Sequence, residues 1–160
     1  MKTRKPFYAS IGSVSVATLR TQDLLPSFLW EARRLRLSRD ERNAVRKIDA
    51  RVSKISNGEF GDSDAYWSDE VSQWDLEEVS GILEAHALPY FYFGAHDGDG
   101  ADFGFWLSEG FKEEFDGLRV NDTSEVPRGF SGEVLHVNDH GNMTLYRATR
   151  GRLREVWAII

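Results

Sequence analysis

The stretch EVLHVNDHGNMTLYRATRGRLREVW, residues 133–157, decides the fold. Asn138-Asp139-His140-Gly141 matches a type I turn whose fourth residue is a left-handed glycine, and Ala148-Thr149-Arg150-Gly151 repeats that plan ten residues on. Two such turns make a three-stranded meander. Pairing through the first sets Val137 beside Met143 and Leu135 beside Leu145, and pairing through the second sets Met143 beside Trp157. One face then reads Leu135, Val137, Met143, Leu145, Leu153 and Trp157, with Glu155 out of place, and is assigned to a core. The opposite face, with His136, Thr144, Tyr146 and Arg154, meets water or a partner.

Upstream of the meander, Gly117 to Gly129 reads as loop, and Phe111 and Phe115 stand one turn apart in a short helix. Tyr90–Gly94 and Asp102–Trp106 are aromatic-rich strands on either side of His96-Asp97-Gly98-Asp99-Gly100, whose two Asp-Gly pairs leave the register of the hairpin open. Before Pro89 the period is helical. Leu24, Leu25, Phe28, Leu29, Ala32 and Leu35 predict a first helix capped by Thr21 or Asp23, with Pro26 in its first turn. Ser38-Arg39-Asp40-Glu41 is a capping box opening a second helix, buried through Val45, Ile48, Val52 and Ile55 and antiparallel to the first. A third helix fits 74–87, with Leu76, Val79, Ile82 and Leu83 inward. The expectation is one α+β domain over 1–160. Helices at about 21–87 pack on one face of an antiparallel sheet at about 89–160 that includes the aromatic hairpin, and a flexible connector lies at about 56–65.

The chain has 160 residues, of which 41% are hydrophobic and 29% charged, enough for one core without staples. With no cysteine it has no disulfide, thiolate metal site or thiol nucleophile. Lys2, Arg4 and Lys5 imitate the start of a signal peptide, but no aliphatic run or cleavage site follows, so export and membrane insertion are not expected and the cytoplasm is. The net charge of −6 conceals a segregation along the chain. Residues 1–54 carry 13 Lys and Arg against 5 Asp and Glu, residues 55–140 carry 3 against 20, and residues 141–160 carry 4 against 1. Opposite blocks either face each other within the fold or are presented to different partners.

Three chemistries follow from these residues. The acids Asp97, Asp99, Asp102, Asp139, Glu113 and Glu114 are candidates for binding a basic protein surface in competition with nucleic acid. His96 and His140 each adjoin an aspartate, and with Asp97, Asp99, Asp102 and Asp139 they form a candidate metal set if the two turns share a sheet edge. An EF-hand is not met, because counting from Asp97 places Ala101 at position 5 and Asp102 at position 6. Arg39, Arg42, Arg46 and Lys47 on the second helix, with Arg33, Arg34 and Arg36 before it and Arg51 and Lys54 beyond, are candidates for phosphate contacts. No phosphate-binding glycine loop, nucleophile elbow or paired-histidine zinc motif occurs, no cofactor is expected, and the balance leans away from an enzyme.

The segments YFGAHDGDGADFGFW (92–106 from Tyr92) and VNDHGN (137–142) resemble those of a group of small uncharacterised bacterial proteins associated with phages and mobile elements. The likeness covers roughly 14–30 and 70–160. It implies a cytoplasmic, accessory setting, brings no catalytic residue with it, and suggests an inhibitor of host or defence machinery. The leading expectation is a non-catalytic protein-binding module acting through segregated acidic and basic surfaces. The alternatives are a metal-dependent hydrolase or small-ligand binder using the His/Asp loops, and a nucleic-acid binder using the second helix.

Overall fold

The computed structural model describes residues 4–58 and 63–160, and the chain divides into two compact units, Met1–Ser108 and Glu109–Ile160. The fold is α+β. The strands fall into two sheets, one per unit, rather than the single sheet expected. Each sheet has apolar side chains of its own to bury, and sequence alternation does not reveal which strands share a ladder.

In the first unit, β1 (Gly12–Ser15) is followed by α1 (Thr21–Arg34). The α1 cap is Arg20, with no side-chain cap bond, instead of Thr21 or Asp23. The Thr18 hydroxyl accepts from the Arg20 N–H at 3.2 Å and donates to Asp23 at 2.8 Å, so the entry is fixed from outside the helix. The earlier start moves Pro26 into the second turn, where Ser27 Oγ donates back to the Asp23 carbonyl at 3.0 Å. α2 (Arg39–Ser56) opens with the expected capping box: Ser38 Oγ accepts from Glu41 N–H at 3.3 Å, and Glu41 accepts from Ser38 N–H at 2.7 Å. Val45, Ile48, Val52 and Ile55 are buried as the spacing predicts. Of the connector expected at about 56–65, Ser56 still belongs to α2 and 63–65 to the next helix, Asn57 and Gly58 form a turn, and 59–62 lie outside the described residues.

A short α3 (Ser63–Ser68) precedes α4 (Glu70–Glu84). α4 starts four residues before the predicted 74 because Asp69 caps it, accepting from Val71 N–H at 3.1 Å. Its buried face contains Ser72 and Asp75 beside Val79, Ile82 and Leu83, while Leu76 is only half-buried. β2 (Phe91–His96) and β3 (Asp99–Leu107) turn at Asp97-Gly98, which settles the register, and β1 joins β3 in the order β1-β3-β2. Phe93 and Phe103 set their rings 4.8 and 5.8 Å from that of Phe28 on α1, and Phe105 is buried with them. A Cβ on Gly104 would lie 2.3 Å from the Gly12 carbonyl oxygen, so β1 approaches β3 only because residue 104 has no side chain.

The second unit holds α5 (Phe111–Glu114), β4 (Leu118–Val120), β5 (Gly132–Val137), β6 (Met143–Thr149) and β7 (Arg152–Ile159), with sheet order β4-β5-β6-β7. β4, in the stretch read as loop, runs parallel to β5 and is too short to show alternation. Val137 faces Met143 and Leu135 faces Leu145, as expected, but Met143 faces Ile159 and Trp157 faces Leu145. The shift is a bulge: Tyr146 pairs with Glu155 and Leu145 with Trp157, leaving Val156 without a counterpart. The bulge puts Leu153 on the opposite face from Trp157, which is why Glu155 broke the expected pattern. Leu153 and Tyr146 pack with Val120, Val134 and Ala148, so the face expected to be mixed carries its own apolar cluster. On the other face the Phe111 ring sits 5.4 Å from the Trp157 ring. The Asn138–Gly141 turn has its left-handed glycine (φ 82°), but the second turn places both Arg150 (φ 50°) and Gly151 (φ 77°) there, which makes it type I′.

Candidate charged interaction surfaces

The cationic surface grows out of the pairing of α1 with α2. Trp30, Arg33 and Arg34 follow a three-and-four spacing and are exposed on α1. Arg39, Arg42 and Arg46 do the same on α2, with Asp49 one turn further on. Arg33 donates to both oxygens of Asp49, at 3.0 and 2.9 Å, which joins the two outer faces into one surface. Lys5, Arg33, Arg42 and Arg46, with the carboxylate of Asp49, surround a cleft floored by Leu37 and Val45. Lys5 Nζ donates to the Arg33 carbonyl, and Arg42 donates to the Leu37 carbonyl at 3.0 Å, so these two are held in place. Lys47, Arg51 and Lys54 line the next strip of α2. Among the described residues, Arg39, Arg42, Arg46, Lys47 and Lys54 form no ion pair.

One ion pair among the described residues joins a cation of 1–54 to an acid further along: Arg51 to Asp75 at 2.5 Å. Asp75 is 6% exposed and also accepts from the Tyr66 hydroxyl at 2.7 Å. Burial, then the hydrogen bond and charge of Asp75, push the Tyr66 hydroxyl well above the ordinary phenol range, with Arg51 opposing. His86, 1% exposed, reaches the Phe7 carbonyl through Nδ1 at 2.6 Å and Glu41 through Nε2 at 3.4 Å. Burial pulls the Glu41 carboxyl upward, but hydrogen bonds from Ser38 and from His86 outweigh it and hold the group below its usual value. Arg36 N–H to the Pro6 carbonyl at 2.7 Å and Ala9 N–H to the His86 carbonyl at 2.9 Å complete the fastening of residues 6–9. Neither the Asp75 network nor the His86 clasp was legible in the sequence, since their members lie 9 to 79 residues apart.

The acidic candidates serve local geometry first. Asp99 accepts from Ala101 N–H at 3.0 Å, Asp97 from the Tyr92 hydroxyl at 3.3 Å, and Asp102 from the Ser13 hydroxyl at 3.0 Å. Asp102 Oδ1 is buried with no hydrogen-bond partner. His96 Nδ1 accepts from Gly98 N–H at 3.0 Å, and its ring meets Trp106 edge-on at 4.6 Å. Those four residues belong to the first unit. Asp139, His140, Glu113 and Glu114 belong to the second and are exposed. Among the described residues no three His, Asp or Glu side chains are placed to hold a metal ion. No helix among them is long and apolar enough to cross a membrane. No known protein family, curated protein or solved structure matches the chain.

Proposed function

We propose that this chain is a non-catalytic binding protein whose recognition is electrostatic, with a cationic face on α1 and α2 kept apart from an anionic remainder. The observation that carries the reading is the row of exposed Arg39, Arg42, Arg46, Lys47 and Lys54, which form no ion pair among the described residues, in a chain of net charge −6. It is supported by residues 55–108, which contain no Lys or Arg and twelve Asp and Glu. If those acids neutralised the helix within the fold, ion pairs would cross between them, and among the described residues Arg51–Asp75 is the one close example. A surface of unpaired charge contributes little to folding and much to association rate and partner selection. An accessory role in a mobile element, inhibiting host or defence machinery, is part of the proposal and rests on the resemblance of the 92–106 and 137–142 segments.

Ion exchange tests the electrostatic premise. At pH 7 and low ionic strength the protein is expected to be retained on a cation exchanger despite its net charge, and Arg39→Glu with Arg46→Glu is expected to abolish retention. Passage of the unaltered protein straight through the cation exchanger would overturn the reading.

A further inference from the structure

We infer that the cationic face takes a single-stranded nucleic acid, with α2 following the phosphates and Trp30 stacking a base; this rests on the electrostatic reading above and names its partner. Three observations favour a phosphate chain over an acidic protein. The first is length: at 1.5 Å per residue, Arg39 and Lys54 stand about 22 Å apart along α2, a span over which successive phosphates of one strand can each meet a cation. The second is residue type. Of the seven exposed cations around the cleft and along α2 four are arginine, and three of these, Arg39, Arg42 and Arg46, are free of any carboxylate among the described residues and so can offer phosphate oxygens a planar fork.

The third is Trp30. It is 56% exposed, far beyond what a tryptophan contributing only to a core would show, and the Arg34 guanidinium sits 4.6 Å from its ring centre. An indole backed by a cation and open to solvent is a platform for any base, because every base presents a π-face. Trp30 is one turn from Arg33, Arg33 is bonded to Asp49, and Asp49 is one turn from Arg46, so platform and cleft are continuous. A carboxylate-rich protein surface would use the cations and have no need of the indole.

The test measures anisotropy of a labelled oligothymidylate of about twelve nucleotides, titrated with the full chain over a range of salt, with polyglutamate and a duplex as comparison probes. Binding is expected at low salt. Arg39→Glu with Arg46→Glu is expected to make the slope of log affinity against log salt shallower by about 1.4, and Trp30→Ala to weaken binding about five-fold or more, with Trp30→Phe restoring part of the loss. Circular dichroism confirms that each variant is folded, and none of the three side chains is buried. If the oligonucleotide is not bound while polyglutamate is, this inference falls and the electrostatic reading stands. If neither is bound, both fall. Equal binding of the duplex, or no effect of Trp30→Ala, overturns the single-strand assignment.

Discussion

Asp75 lies on the buried face of α4, and its carboxylate is made tolerable there by Arg51 and the Tyr66 hydroxyl. Asp75→Asn weakens both bonds and is expected to lower stability by about 1.5–3 kcal/mol, read as a shift in urea midpoint. Tyr66 adds a pH signature. Its proton is held more tightly in the folded chain than in the unfolded one, so the stability it contributes is complete below the ordinary phenol value of about 10 and declines above it. Unfolding midpoints at successive alkaline pH values should fall less steeply in Tyr66→Phe than in the parent. An acid reads as solvent-facing in any periodicity analysis, and its cation stands 24 residues away, so this site was not legible in advance. Gly104 was equally silent. Gly104→Ala drives a methyl into β1 backbone, with Gly12 C and Ser13 Cα each at 2.8 Å, and is expected to lower the midpoint by detaching that strand.

The features legible in the sequence are the ones whose causes are local to an element. The Ser38–Glu41 capping box and the Asn138–Gly141 turn are each complete within four residues, and both form. Ser38→Ala is expected to cost about 1 kcal/mol in denaturant titration. What escaped depends on neighbours: β1 and β4 are strands because β3 and β5 pair with them, and the Val156 bulge exists because Leu153 and Trp157 have separate apolar clusters to join. The type I′ turn is a milder case. Arg150 occupies a left-handed conformation that asparagine adopts more easily, so Arg150→Asn should raise the urea midpoint modestly without changing the slope of the transition.

Over the whole molecule, the sorting of charge along the chain was plain from counting, whereas its arrangement on two units was not, because composition does not say which acids turn inward or bind their own backbone. Since Arg51–Asp75 is, among the described residues, the one close pair joining the cations of 1–54 to the acidic block, and the other pair between blocks, Arg147–Glu133, lies within the four-stranded sheet, added sodium chloride should barely change stability in urea while strongly weakening retention on a cation exchanger. A marked loss of stability in salt would show the blocks attracting each other within the fold. The four-stranded sheet has a consequence of its own. One rim is β4, three residues long; the other is β7, where Arg152, Arg154 and Glu155 are exposed just before the bulge. Neither rim is both long and flat, so neither offers a template on which another copy could extend the ladder, and concentrated solutions should resist fibril growth from this sheet.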